Sequence, residues 1–87
     1  MVRIKVLFFA SLKDRAGVKE TSLELIEGIK VVELKRKLCE LYPGLAPAMG
    51  SALVAVNKEY AFDEDAVPSG AEVALFPPVS GGVMNYG

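Results

Sequence analysis

The sequence predicts an α+β fold in which a mixed sheet of four to five strands carries one main helix on one face. Three observations in the 87-residue chain support this prediction. Apolar residues alternate with period two near both ends of the chain, which is typical of β-strands. Between these segments they recur every three or four residues, which is typical of an amphipathic helix. Strands on both sides of a single helix predict one domain of two packed layers.

The first strand is predicted over residues 2–9. Its core face carries apolar side chains at alternate positions: Val2, Ile4, Val6 and Phe8. The other face begins with charged residues and ends with Leu7 and Phe9, so this end of the sheet needs a partner or a cover. A short helical turn over 11–16, closed by Gly17, leads to a second strand over 21–25. An antiparallel pairing of these two strands is the simplest topology.

The main helix is predicted after Gly28. Its apolar face is defined by residues spaced three or four apart: Val31, Leu34, Leu38 and Leu41. Pro43 ends the helix, because proline disfavours a helical conformation in the residue before it. A loop containing Pro47 and Gly50 is expected to follow.

Short strands are predicted to complete the middle of the sheet. The apolar run over 53–56 is rich enough in β-branched residues to be a buried strand. Residues 57–59 supply turn chemistry before a brief extended segment over 60–62. The stretch 63–71 is polar and contains a further turn at Pro68-Ser69-Gly70.

The last strand is predicted over 72–76, with its core face formed by Val73 and Leu75. A right-handed crossover is expected to place it beside the first strand and parallel to it. Alternation then puts Phe76 on the outer face of the sheet, together with Leu7 and Phe9.

Composition limits the function of the chain. Ten basic and eleven acidic residues leave a net charge of -1, so there is no basic field for general nucleic-acid binding. The one dense basic cluster, residues 35–37, is interpreted as the solvated face of the helix.

The chain offers few reactive side chains. It has a single cysteine, Cys39, which excludes an internal disulfide, and it has no histidine, the usual metal ligand and general base. We expect Cys39 to behave as a small buried hydrophobe. No apolar run is long enough to span a bilayer, and we expect a cytoplasmic protein.

After the last strand the chain loses side-chain bulk. Pro77 and Pro78 remove two backbone donors and fix φ, so sheet pairing must stop and the chain must leave extended. Ser80, Gly81 and Gly82 then carry little or no bulk at Cβ. Such a segment suits either a flexible linker or entry into a narrow channel of another protein.

Residues 70–82, reading GAEVALFPPVSGG, resemble the end of the small subunit of molybdopterin synthase, the MoaD family. The opening IKVLFFA of residues 4–10 and the strand end Ala55-Val56-Asn57 are also similar to this family. The resemblance covers nearly the whole chain up to Gly82 and implies a ubiquitin-like β-grasp fold. It is closer than the similarity to the thiazole-pathway sulfur carrier, whose chain is shorter and usually lacks the Phe-Pro-Pro approach.

The resemblance implies a sulfur carrier that is not an enzyme on its own. Gly82, beside the slim Gly81, would be adenylated with ATP by a ubiquitin-activating-like adenylyltransferase (MoeB-like) and converted to a thiocarboxylate. A molybdopterin synthase large subunit (MoaE-like) would bind precursor Z and receive the sulfur in molybdenum cofactor biosynthesis. The extended arm would be Pro77, Pro78, Val79 and Ser80. The docking patch for both partners would be Leu7, Phe9 and Phe76. The carrier itself is expected to bind no cofactor or metal directly, and neither nucleic acid nor a membrane is an expected partner.

The chain departs from the family pattern after Gly82. Five residues, 83–87, follow it, and an amide at Gly82 cannot be adenylated as a free carboxylate can. We expect a single domain over 1–82, with the arm from about 77, and a short extension over 83–87. Three interpretations of the extension stay open: a precursor cut after Gly82, an inert extension, or a paralogue that uses Gly87 or no terminus. The alternative functions are a ubiquitin-like protein modifier, a tRNA- or thiazole-type sulfur carrier, and an interaction module without terminal chemistry.

Overall fold

A computed structural model describes residues 1–78, and the predicted sites at Val79, Ser80, Gly81 and Gly82 lie outside the described residues. The sheet is built from five strands: β1 (Val2–Phe8), β2 (Glu20–Leu25), β3 (Leu53–Val56), β4 (Glu59–Ala61) and β5 (Glu72–Phe76). The helices are α1 (Ser11–Ala16), α2 (Val31–Leu41) and α3 (Ala46–Met49), with a 3-10 turn over Pro43–Leu45. Within residues 1–78, no helix is long and apolar enough to cross a membrane.

The five strands form one mixed sheet in the order β2-β1-β5-β3-β4. β1 pairs antiparallel with β2 and parallel with β5, which confirms both pairings predicted from the sequence. β3 pairs antiparallel with β5 on one side and with β4 on the other. Because β5 is central and parallel to β1, the C-terminal end of β5 lies at the same end of the sheet as Phe8 and Phe9.

The core lies between the inner face of the sheet and α2. The predicted core residues of β1 are all buried, and Val31, Leu34 and Leu38 of α2 are at most 1% exposed. The aromatic ring of Tyr42, just after α2, packs edge-on against Phe8 with ring centroids 5.8 Å apart. The Tyr42 hydroxyl donates a hydrogen bond to the Thr21 side chain at 3.1 Å, which ties the helix end to β2.

The segment after α2 was predicted to be a loop, and this prediction was wrong. The segment forms the 3-10 turn and α3, which bury Leu45 and Met49. Leu41, predicted on the apolar face of α2, is instead 48% exposed. After the chain turns at Pro43, the Leu45 side chain is fully buried in the core. Burial of two apolar side chains outweighs the loop preference of the prolines and glycines in this segment.

The start of α2 is held by the loop after β4. The Val31 and Val32 backbone N–H groups, which have no partner within the helix, donate to the carbonyls of Asp65 and Asp63 at 2.9 and 3.0 Å. Lys35 also forms an ion pair with Asp63 at 2.9 Å. The Lys35 side chain is only 15% exposed, whereas Arg36 and Lys37 are exposed, so the predicted solvated face is confirmed for Arg36 and Lys37 and was wrong for Lys35.

Candidate functional site

The outer face of the sheet carries an apolar patch at the end where β5 stops. Strand register brings together a row of side chains across four strands, because Leu7 pairs with Ala74, Ala74 with Ala55, and Ala55 with Tyr60. The two alanines form the floor of a shallow groove between larger side chains. Two charged side chains, Lys58 and Glu72, also line this groove. We call its apolar part the apolar patch: Leu7, Phe9, Ala55, Tyr60, Ala74 and Phe76.

Phe9 and Phe76 form the wall of the patch nearest to the arm. Their rings are stacked, with centroids 4.8 Å apart and an interplanar angle of 10°. The Phe9 backbone N–H donates to the carbonyl of Leu75 at 3.1 Å, so the β1–β5 pairing continues one residue past β1. Phe9 remains 41% exposed, and Phe76 is half-buried. An offset pair of this kind contributes about 0.5–1.5 kcal/mol beyond its buried area.

The arm leaves the sheet directly from this wall. Pro77 follows Phe76 and is half-buried, whereas Pro78 is exposed. Neither proline has a backbone N–H to continue the ladder with β1 or β3. The geometry therefore joins the predicted arm to the predicted docking residues, and both roles stay predictions.

The sequence predicts that Leu7, Phe9 and Phe76 lie together on the outer face, and the structure confirms this placement. Alternation also placed Ala74 on the outer face with Phe76, but the predicted docking patch did not include Ala55, Ala74 or Tyr60. Tyr60 is 73% exposed and faces Ala55 across the β3–β4 hairpin. Its position could have been predicted from the two-residue turn at Asn57-Lys58, since such a turn sets the hairpin register.

Charged side chains lie on the outer face of β1 and β2. Arg3 contacts Glu24 at 2.9 Å and Lys5 contacts Glu20 at 3.9 Å, and all four side chains are well exposed. Exposed pairs of this kind contribute little stability, about 0–1 kcal/mol each. Arg3 and Glu24 make the end of the face away from the arm polar, whereas Glu20 lies opposite Leu7, so charge also flanks the apolar patch on the β2 side.

The described residues offer little reactive chemistry. Burial raises the pKa of the Cys39 thiol, so at neutral pH this side chain is a protonated, weak nucleophile. Cys39 lies on α2, half-buried against the core, on the opposite side of the sheet from the apolar patch. Among residues 1–78, no group of three or more histidine, cysteine, aspartate or glutamate side chains is arranged to hold a metal ion.

Known proteins share this fold and a related sequence. The model of the ThiS family matches residues 6–82. The chain belongs to the ThiS family. This ThiS-family chain is 39% identical over 83 residues to the molybdopterin synthase sulfur carrier subunit of Chlamydomonas reinhardtii, which covers 93% of this chain and 100% of that relative. The resemblance to molybdopterin synthase small subunits is thereby confirmed.

Solved structures place the same chain among ubiquitin-like β-grasp proteins. The putative molybdopterin converting factor subunit 1 of Pyrococcus furiosus has a TM-score of 0.81 and 29% identity, covering 91% of this chain and 100% of that one. Small archaeal modifier protein 1 of Methanosarcina acetivorans has a TM-score of 0.79 and 28% identity, covering 94% of this chain and 98% of that one. The predicted fold class is confirmed by these neighbours.

Proposed function

We propose that this chain is the sulfur carrier subunit of a molybdopterin synthase. The observation that carries the proposal is the apolar patch at the base of the Pro77-Pro78 arm, in a chain of which 93% aligns with a carrier of that name. The patch docks the carrier onto a partner, and the arm reaches the partner's active site. The carrier needs no catalytic side chain for this role, because the reacting group is its own terminal carboxylate.

The chemistry takes place at Gly82. A carboxylate is ionised at neutral pH, since its pKa is about 3.5, and it is a poor electrophile. An activating enzyme joins a carboxylate oxygen to the α-phosphorus of ATP, and pyrophosphate leaves. A sulfur nucleophile then displaces AMP from the acyl adenylate and leaves a thiocarboxylate. Within the synthase the large subunit binds precursor Z, and the thiocarboxylate sulfur forms a bond to a carbon of that substrate. Water then hydrolyses the acyl–sulfur bond, which leaves the sulfur on the substrate and regenerates the glycine carboxylate.

This role requires that the bond between Gly82 and Val83 be cut. Hydrolysis adds one water molecule across the amide and produces the Gly82 carboxylate and a free amine on Val83. The end of the ThiS-family match at residue 82 supports this division of the chain into a domain with its arm and a short extension. We infer a processing step that precedes activation.

The test uses three forms of the protein: the full chain, a chain ending at Gly82, and a matched control ending at Gly81. Each is incubated with an activating enzyme, ATP and a sulfur source, and the intact mass is measured. We expect the form ending at Gly82 to gain the mass difference of one sulfur replacing one oxygen, and the full chain to gain nothing. Absence of that product from the form ending at Gly82 contradicts the proposal.

A second candidate function is protein modification, which is favoured by the similarity to small archaeal modifier protein 1. In that role the activated Gly82 forms an isopeptide bond with a lysine of a target protein. Denaturing gels of cell extract should then show higher-mass conjugates that disappear when Gly82 is deleted. An interaction module without terminal chemistry is indicated instead if the full chain and the chain ending at Gly82 bind the large subunit equally and neither is activated.

A further inference from the structure

β2 forms one edge of the sheet, and half of its backbone groups point away from the neighbouring strand. It is the outermost strand in the order β2-β1-β5-β3-β4. The Phe8 backbone N–H donates to the Lys19 carbonyl at 2.9 Å, so the hydrogen-bonded positions of this antiparallel ladder are the odd-numbered residues of β2. The N–H and carbonyl groups of the even-numbered residues, among them Ser22 and Glu24, therefore face outward. An edge of this kind can pair with a strand of another chain.

A groove with an apolar end runs between this edge and α2. Met1 is 85% exposed and Ile26 is 72% exposed. These two residues lie opposite each other, one position beyond the last pair of the β1–β2 ladder. Ile29 is half-buried and lines the same groove. We call this surface the edge groove: Met1, Leu25, Ile26, Ile29, Arg36 and Lys37.

The apolar end and the basic part of the edge groove are separated by about one turn of α2. The Tyr42 hydroxyl, just after α2, bonds to the Thr21 side chain near the start of β2, so α2 runs back along β2. The apolar end lies beside Glu33, in the first turn of α2. Arg36 lies three residues further along the helix, and one helical turn rises about 5.4 Å.

The carboxylates of the groove have partners within the chain, whereas one of its cations does not. Each of its three glutamate side chains contacts a donor: Glu24 the Arg3 guanidinium at 2.9 Å, Glu33 the Lys30 backbone N–H at 3.0 Å and Glu40 the Lys37 ammonium at 3.9 Å. Among residues 1–78, Arg36 forms no ion pair and no side-chain hydrogen bond. The charge that remains available to an occupant is therefore positive and favours a carboxylate.

We propose that the edge groove binds an extended segment of a partner protein as an added strand beside β2. The segment pairs with the outward backbone groups of Ser22 and Glu24, in the manner of β-strand addition. An aliphatic side chain of the segment packs against Ile26 and Ile29, and a carboxylate meets Arg36. Two residues of a strand span about 6.6 Å, close to one helical turn. The aliphatic and the acidic residue are therefore two positions apart, on the face of the segment that points toward α2.

A second copy of this chain is a poorer occupant than such a segment. Two β2 strands paired antiparallel about Ser22 would place Glu20 of each copy opposite Glu24 of the other, and like charges directly opposite are destabilising. The side chains of β2 that point toward α2 include Leu23 and Leu25 but no carboxylate for Arg36. The charges of the groove therefore favour a different protein.

The edge groove lies at the opposite end of the sheet from the arm. β1 begins beside Leu25 and ends at Phe8, and β5 runs parallel to β1 and ends beside Phe8. An occupant of the edge groove therefore leaves the apolar patch and the arm uncovered, so one partner can hold the chain while the arm reaches another. This binding needs no chemistry at Gly82, so it does not depend on the proposed sulfur-carrier role.

The first test titrates the full chain with a capped peptide of sequence SVSISESK, in which valine, isoleucine and glutamate share one face. NMR should show shift changes for the backbone amides of Ile26, Ile29 and Arg36. Amide hydrogen exchange at Ser22 and Glu24 should slow about 2-fold at half saturation, because each outward N–H is bonded in the complex. Absence of shift changes at about 2 mM peptide, or shift changes without slower exchange at these two amides, overturns the proposal.

The second test reverses the charge at Arg36. The parent chain should bind SVSISESK at least about 3-fold more tightly than SVSISKSK, whereas Arg36→Glu should prefer the lysine peptide. Lys13→Glu is the matched control, since Lys13 is exposed on α1, does not line the edge groove and gives the same change in net charge. We expect Lys13→Glu to keep the preference of the parent. An equal effect of both substitutions overturns recognition of the carboxylate by Arg36.

The third test removes the apolar contact and identifies the occupant. Ile26→Ala should weaken binding of SVSISESK about 5- to 20-fold, because most of this exposed side chain is buried in the complex. Phe62→Ala, which changes a side chain of similar exposure outside the edge groove, should have no effect. Unchanged binding by Ile26→Ala overturns the proposal. So does a dimer of the full chain in analytical ultracentrifugation whose Ser22 and Glu24 amides are protected without peptide, because a second copy then occupies the edge.

Discussion

Replacing Phe76 by alanine removes the aromatic side chain at the base of the arm, and we expect it to impair docking without unfolding the domain. Phe76 is half-buried, stacks on Phe9 with centroids 4.8 Å apart, and lies opposite Leu53 in the β3–β5 pair. Burial of a whole phenylalanine side chain contributes about 1.5–3 kcal/mol, so half of it contributes about 1 kcal/mol. The ring stack adds about 0.5–1.5 kcal/mol.

The free energy of unfolding should therefore fall by about 1.5–2.5 kcal/mol. A domain with the usual stability of about 5–15 kcal/mol remains folded after such a loss. On docking, the exposed half of the ring is buried in turn, which contributes another ~0.75–1.5 kcal/mol on the same scale. Its loss should raise the Kd for the large subunit about 3- to 12-fold.

Urea denaturation and isothermal titration calorimetry measure the two quantities. Phe62→Ala is the matched control, since Phe62 is 76% exposed and does not line the apolar patch. We expect this control to change the free energy of unfolding by less than about 0.5 kcal/mol and to leave the Kd unchanged. Equal Kd values for Phe76→Ala and the parent chain would refute the assignment of the patch as the docking surface.

Three further predictions concern the scaffold. Lys58 has φ 72° in the β3–β4 turn, so Lys58→Gly should raise the free energy of unfolding by about 0.5–1 kcal/mol in urea denaturation, and a decrease would contradict the turn assignment. Leu45 is fully buried, so Leu45→Ala should lower the free energy of unfolding by about 2–5 kcal/mol in urea denaturation. A change near zero, as expected for a surface leucine, would contradict its place in the core. Burial raises the pKa of the Cys39 thiol in the folded protein. As pH rises, the thiol of the unfolded chain therefore ionises first, and the free energy of unfolding decreases between the unfolded and the folded pKa. Cys39→Ala should flatten this alkaline decline in pH-dependent unfolding, and an unchanged slope would argue against the effect of burial.

The regular elements could be predicted from the sequence because their apolar periods are clear. Alternation in β1 and β5 identified which side chains face the core, and the spacing in α2 identified the helix. The segment from Pro43 to Met49 could not be predicted in the same way. Its prolines and glycines favour a loop locally, but Leu45 and Met49 are buried, and the gain from burial is seen only when the rest of the core is present.

The docking surface was predictable in part. Period two places Leu7, Phe9 and Phe76 on the outer face without reference to the tertiary structure. It says nothing about which residue of another strand lies opposite, and this is why Tyr60 was missed. Cross-strand neighbours depend on register, which is set by turns and by the burial of the opposite face.

The sequence by itself determined which side chains face outward and where pairing must end, because alternation and the missing proline N–H groups are local properties of the chain. It also determined the low side-chain bulk at Ser80, Gly81 and Gly82. Only the tertiary structure decided that Phe9 and Phe76, which are 67 positions apart in the sequence, stack beside the arm. The stacking depends on the parallel pairing of β1 with β5, a long-range contact that no local pattern contains.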